Sequence, residues 1–119
     1  MYTPKTQIYT KLKALGYYCH QGAQAVFADN EVPAITFRVD NNSVNLDLDN
    51  EIASQDIEVV VDIWADDSVT ASRILSETEG AMRELGYRLT YSADVPSPEG
   101  CLFHINCRFV TVHASERSA

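Results

Sequence analysis

The chain has 119 residues, of which 45% are hydrophobic, and its 17 acidic residues outnumber nine basic ones to leave a formal net charge of -8. That length and apolar content are typical of one domain with one packed core. The acidic balance and scattered basic residues disfavour DNA and anionic lipid, since phosphates attract clustered lysine and arginine. No segment approaches the roughly 20 apolar residues of a membrane helix, and the N-terminus lacks the apolar stretch of a secretion signal. We therefore expect a cytoplasmic protein that binds other proteins, with no specific nucleic-acid binding and no membrane association.

Two amphipathic helices are predicted. The first begins at Thr3-Pro4, where a capping residue precedes proline at the first helical position, and it ends at Gly16. The second follows the capping residues Asp66-Asp67-Ser68 and ends at Gly86. Its interior Gly80 predicts a close approach of the helix to a sheet. One stripe of that helix is spaced to face the core, and it consists of Ala71, Ile74, Leu75, Thr78, Ala81, Met82 and Leu85.

Alternating apolar and polar residues predict strands over 34–40, 44–48, 57–64 and 101–109, with shorter strands starting at Tyr17 and at Arg88. Asn41-Asn42-Ser43 is predicted to be a hairpin turn. This order of elements predicts an α+β fold, with an antiparallel or mixed sheet and two helices packed on one face. We expect a single domain over residues 1–113 and a flexible C-terminal tail over 114–119.

Two polar segments, 21–32 and 50–55, lack apolar periodicity. Without buried apolar groups they have no evident way to offset the entropy lost on ordering. We expect both to be mobile in an isolated subunit and to become ordered on assembly. The candidate assembly-loop residues are Gln21, Gly22, Asn30, Asn50, Glu51 and Ser54.

The acidic segment that follows residue 46 has a residue spacing similar to that of the ligands in a calcium-binding loop. Ile52 stands where such a loop needs glycine for its sharp turn, and strands rather than helices flank the segment. A charged strand edge is the better interpretation. The acids that follow the calcium spacing are Asp47, Asp49, Glu51 and Glu58.

The three cysteines, Cys19, Cys101 and Cys107, are an odd set without metal-ligand spacing, so we interpret them as free thiols, two of them in the core. His104 is predicted to point away from the cysteines of its strand, which disfavours a zinc site. The chain also lacks a nucleophile elbow and a phosphate-binding glycine loop. We expect no cofactor, no metal ion and no enzymatic activity.

One face of the predicted sheet carries apolar groups that the helices do not cover. If Ile57 to Ile63 face the helices at alternate positions, Val60 and Trp64 emerge on the other side. Apolar groups mixed with charges are typical of a subunit interface. The alternative is that a terminal segment or loop folds over this face. The candidate interface residues are Val60, Trp64, Arg108, Val110 and Val112.

Three segments of the chain together resemble a known family. They are Ile8-Tyr9-x-x-Leu12-Lys13-x-Leu15-Gly16-Tyr17, then Pro33-Ala34-Ile35-Thr36-Phe37, then the strand from Ile57 to Ala65 before a long helix. This pattern, over about residues 4 to 112, resembles the tail-terminator or tail-completion proteins of long-tailed bacteriophages, which include minor tail proteins.

The resemblance implies a structural protein without catalytic residues, encoded by a phage or a prophage. Such a subunit forms a hexameric ring on the head-proximal end of the tail tube, stops its growth and meets the head connector. The expected partners are further copies of the chain, the tail tube protein and the connector protein. The expected location is the virion, and the host cytoplasm during assembly. The alternatives are another head-tail joining protein or a cytoplasmic regulatory module that binds proteins.

Overall fold

The computed structural model describes residues 3–22, 27–96 and 102–114. The helices and strands are α1 Lys5–Lys13, β1 Tyr18–Gln21, β2 Ala34–Leu46, β3 Ile52–Ala65, α2 Ser68–Glu84, β4 Arg88–Val95 and β5 Phe103–Ala114. A short 3-10 helix spans Asp29–Glu31. Five strands form one mixed sheet in the order β1-β2-β3-β5-β4, and both helices pack on the same face. The predicted α+β fold is therefore confirmed.

The core lies between the helices and β3, which is the middle strand. β3 pairs antiparallel with β2 on one side and with β5 on the other over almost its whole length. Because successive side chains of a strand point to opposite faces, every second residue of β3 meets the helices. Those residues are fully or almost fully buried, and they are Ile57, Val59, Val61, Ile63 and Ala65.

Helix α1 contributes Ile8 and Leu12 to the core, both fully buried. Pro4, rather than Thr3, occupies the cap position, and no side-chain cap hydrogen bond is present there, so the predicted threonine cap is wrong. An ion pair between Lys11 and Glu84 ties α1 to the end of α2.

Helix α2 follows the sequence prediction closely. Asp67 is its cap, and its Oδ1 accepts a hydrogen bond from the backbone N–H of Thr70 at 2.7 Å, which lowers the pKa of that carboxyl. The predicted stripe is buried or packed against the core. Gly86 ends the helix with φ +93°, a left-handed conformation that glycine adopts without a steric penalty.

The predicted hairpin turn at Asn41-Asn42-Ser43 is wrong. β2 runs unbroken through these residues, with a register irregularity between Val39 and Asn41, and they pair with Glu58, Ile57 and Asp56 of β3. A bulge places an extra residue in one strand without ending it, so polar residues there do not stop the strand. The chain reverses instead between Asp47 and Glu51.

Several residues predicted as loop belong to regular structure. Gln21 pairs with Phe37 in the parallel ladder of β1 and β2, and the N–H of Gly22 donates to the carbonyl of Phe37 at 2.7 Å. Ser54 pairs with Asn45 and with Ala114, because β3 begins at Ile52.

The remaining loop and tail predictions divide between described and undescribed residues. Asn30 lies in the 3-10 helix, and Asn50 and Glu51 lie in or beside the β2–β3 turn. Ala114, predicted as the first tail residue, is the last residue of β5. Residues 115–119, residues 23–26 of the first loop, and Cys101 lie outside the described residues.

Gly80 offers a test of helix packing. No neighbouring atom lies within 4 Å of the position that a Cβ would take, so the expected close approach to the sheet is wrong. Gly80→Ala should therefore raise the free energy of unfolding by about 0.5–1 kcal/mol, since alanine loses less backbone entropy in a helix. Gly86→Ala should lower it, because φ there is positive. Chemical denaturation of both variants measures the two effects, and a destabilised Gly80→Ala would contradict this packing.

Candidate functional site

The sheet face away from the helices, called here the outer face, carries the residues predicted to form an interface. β3 contributes its alternate residues Glu58, Val60, Asp62 and Trp64. Strand pairing places β5 residues directly beside them on the same face. These neighbours are Val110, Arg108, Asn106 and His104 in the same order.

Asp62 is the centre of a polar network on the outer face. Its Oδ1 lies 2.6 Å from Nε2 of His104 and accepts a hydrogen bond from the side-chain amide of Asn106 at 2.9 Å. Arg38 of β2 approaches the other carboxylate oxygen at 3.7 Å. Because Asp62 and His104 are both largely buried, these partners replace the water that a carboxylate would otherwise require.

Arg108 forms a second network beside the first. Its guanidinium donates to Glu58 at 2.6 Å and lies 3.6 Å from Asp40. The hydrogen bond to Glu58 is the main cause that raises the pKa of Arg108. Arg38 also approaches Asp40, at 3.9 Å, so two arginines share one carboxylate.

Val60 lies between these two arginines and is fully buried. Arg38 is its register partner on β2 and Arg108 its partner on β5. Arginine covers apolar surface with its aliphatic stem while the guanidinium stays hydrated. Val60 is on the predicted face, but the expectation that it emerges there is wrong, because the two charged side chains flank it.

Trp64 takes part in an aromatic cluster rather than standing free. Its ring stacks on His104 with centroids 3.8 Å apart, and Phe27 packs against it at 5.5 Å. Tyr18 from β1 then meets Phe27 edge-on at 6.1 Å. Phe27 comes from the segment between β1 and β2, so the alternative in which a loop covers the outer face holds for this corner.

The other end of the outer face is more open. Val112 has 67% of its surface exposed, and Val110 lies beside it in a groove of about 460 Å³. The walls are mixed in charge, since Asp56, Glu58 and Arg88 all line the groove. Of the five predicted interface residues, Val112 alone is widely exposed.

The structure reveals a second surface, which we call the acidic tip, residues 46–51 at the end of the β2–β3 hairpin. Oδ1 of Asp47 accepts hydrogen bonds from the backbone N–H groups of Asp49 and Glu51 at 2.9 and 3.0 Å. Asn50 completes the turn with φ +61°, a conformation that asparagine tolerates. The turn is therefore built by its own side chains, and it leaves Leu48 fully exposed and Leu46 more than half exposed.

Asn50 and Glu51 were predicted as assembly-loop residues, but the exposure of Leu46 and Leu48 was not predicted, because these leucines alternate with polar residues as in a half-buried strand. The signal that could have located the acidic tip is Asp47-Leu48-Asp49-Asn50, where aspartate and asparagine favour a turn and leave the leucine at its apex. The acids with calcium-like spacing have other partners in the structure. The carboxylate of Asp47 accepts hydrogen bonds within the turn, while Glu58 pairs with Arg108 on the sheet.

Two kinds of functional feature, a metal-binding cluster and a membrane-spanning helix, are absent from the described residues. No three His, Cys, Asp or Glu side chains among residues 3–22, 27–96 and 102–114 are grouped so that they could hold a metal ion. In the same described ranges, no helix is long and apolar enough to cross a membrane. Cys19 and Cys107 are buried free thiols, and His104 lies on the face opposite Cys107, as predicted.

No protein-family model matches this chain, and no curated protein is similar to it in sequence.

Val60 and Val112 provide a matched pair on one face. Val60→Lys should lower the free energy of unfolding by about 3 kcal/mol or more, because it places an ammonium group at a fully buried position between two guanidinium groups. Val112→Lys should change it by less than about 0.5 kcal/mol, since that side chain is largely in water. Urea denaturation of both variants gives the comparison. Equal stability of the two would show that the arginines do not cover Val60.

The thiols should be inert in the folded protein. Burial raises the pKa of Cys19 to about 11 and that of Cys107 to about 12, so roughly one thiolate per thousand or fewer is present at pH 8. In a Cys101→Ser background, Ellman's reagent should detect no thiol in native protein and two after unfolding in guanidinium. Fast labelling of the native protein would contradict the burial of these residues.

Proposed function

We propose that the chain is a structural virion-assembly protein of a long-tailed phage or prophage. In this proposal its subunits form a ring, hexameric as the resemblance implies, that caps the tail tube and helps to join it to the head connector. Its partners are then further copies of itself, the tail tube protein and the connector protein. Its location is the neck of the virion, after assembly in the host cytoplasm.

The acidic tip is the observation that carries this proposal. It forms the end of the long β2–β3 hairpin, and it presents Leu46 and Leu48 to water beside a turn held by hydrogen bonds. Exposed apolar side chains close together in sequence at the end of a hairpin are candidates for burial against a partner. Because Asp47 accepts two backbone hydrogen bonds within the turn, these contacts reduce the conformational entropy that docking would lose. These properties fit a subunit that functions only in an assembly.

Charge supports the same proposal. A formal net charge of -8 makes the surface repel nucleic acid rather than bind it. A ring through which DNA must pass benefits from a negatively charged inner surface, because like charges prevent the DNA from adhering. The outer-face networks also fit, since they pair most of the charges on the sheet inside the subunit.

Assembly on tail tubes tests the proposal directly. The purified protein should form rings visible by negative-stain electron microscopy, and added to growing tubes of the matching tail tube protein it should stop their elongation at one end. Leu46→Ser with Leu48→Ser should remove both effects without changing the thermal midpoint, because both side chains are exposed. Val69→Ser is the matched control, since Val69 is 78% exposed on α2.

Two results would contradict the proposal. One is a wild-type protein that stays monomeric at every concentration and leaves tube length unchanged. The other is an equal loss of assembly in the Val69→Ser control, which would show that the acidic tip has no special role.

A further inference from the structure

We propose that the acidic tip of one subunit docks on the exposed side of α1 in a second copy of this chain. The inference deepens the proposed ring, on which it rests, by naming the two surfaces that meet between neighbouring subunits.

The receiving surface is a stripe along α1, called here the basic stripe, formed by Lys5, Tyr9 and Lys13. These residues are four apart, so they lie on one side of the helix and span about 12 Å. All three are exposed, and the ammonium of Lys13 lies 5.9 Å from the centroid of the Tyr9 ring. Helix α1 contains no acidic residue. The stripe is thus an aromatic side chain between two cations.

The acidic tip has the complementary composition. The whole of the hairpin from Asp40 to Asp56 carries five acidic residues and no basic one. At its apex, Leu48 stands between Asp47 and Asp49, with Glu51 close behind, so an apolar side chain is flanked by anions. An apolar group between anions matches an aromatic group between cations, which gives both burial and charge attraction.

Other surfaces fit the acidic tip less well. The groove beside Val112 contains two acids, Asp56 and Glu58, against the single cation Arg88, so its charge does not complement an acidic tip. On α2, Arg73 and Arg83 each have an acidic partner one helical turn away. In contrast, no salt bridge joins Lys5 or Lys13 to an acid within the described part of the chain, so both ammonium groups are available to pair with acids of another subunit.

The fold prevents a subunit from making this contact with itself. Helix α1 packs against β1, which pairs with residues 34–37 at the start of β2. From Phe37 to Asp47 the extended chain covers roughly 33 Å at about 3.3 Å per residue. The acidic tip and the basic stripe therefore lie far apart on one subunit. A contact between two different surfaces of identical subunits is heterologous, and it generates a ring when the rotation closes.

Two neutralised variants test the contact. The tip variant combines Leu48→Ser, Asp49→Asn and Glu51→Gln, and the stripe variant combines Lys5→Gln, Tyr9→Ser and Lys13→Gln. All six positions are exposed, so circular dichroism and thermal melts should match the wild type. Alone, each variant has lost one half of every junction and should run as a monomer in size-exclusion chromatography with light scattering.

An equimolar mixture of the two variants gives the decisive result. The tip variant keeps its basic stripe and the stripe variant keeps its acidic tip, so one intact junction remains possible. The mixture should form a dimer of twice the 13.2 kDa chain mass and stop there. The matched control removes two cations and one apolar group from α2 instead, with Val69→Ser, Arg73→Gln and Arg83→Gln, and it should form rings like the wild type.

The outcomes separate this inference from the proposed function. Rings formed by either variant alone, or a mixture that stays monomeric, would overturn the contact while leaving the wild-type ring in place. Wild-type rings that fail to stop tube growth would overturn the function and leave the contact standing. A wild-type protein that never oligomerises would overturn both.

Discussion

The two-sided pairing of β3 is the constraint on which the rest of the structure depends. As the middle strand it fixes the register of β2 and of β5, and through β5 that of β4. Its alternate residues face either the helices or the outer face, so a shift of one residue would exchange the two sets. Such a shift would turn Asp62 toward the core. That change is costly, because the carboxylate would lose its contacts with His104 and Arg38. The polar outer face and the apolar inner face therefore specify the same register.

Much of the fold was predictable because its signals are local. Asp67 and Gly86 mark the ends of α2 through capping and a positive φ, and both depend on a few neighbouring residues. The alternation over 57–64 likewise locates β3. The length of β2 was not predictable in this way, since Asn41-Asn42-Ser43 favours a turn locally. The ladder with β3 outweighs that preference, because it pairs these residues in a continuous strand.

The exposure of individual side chains was harder to predict, because it depends on neighbours that are distant in sequence. The periodicity placed Val60 on the correct face, yet Arg38 and Arg108 cover it, and they lie 22 and 48 residues away. Trp64 is similar, since the rings of His104 and Phe27 both pack against it. At the acidic tip the error was the reverse, because a residue of a predicted strand proved to be exposed. Leu48 belongs to an apolar alternation, but no part of the described chain lies over it, and it is fully exposed.

The irregularity in β2 has a consequence for how the protein avoids aggregation. β1 pairs only with residues 34–37, so among the described residues no strand lies beside β2 on that side beyond Phe37. A free strand edge invites other chains to add as further strands, which leads to fibres. Here the bulge after Val39 bends the edge, and Asp40, Asn41 and Asn42 line it with polar groups. The long hairpin therefore offers neighbouring molecules a poor template for sheet growth.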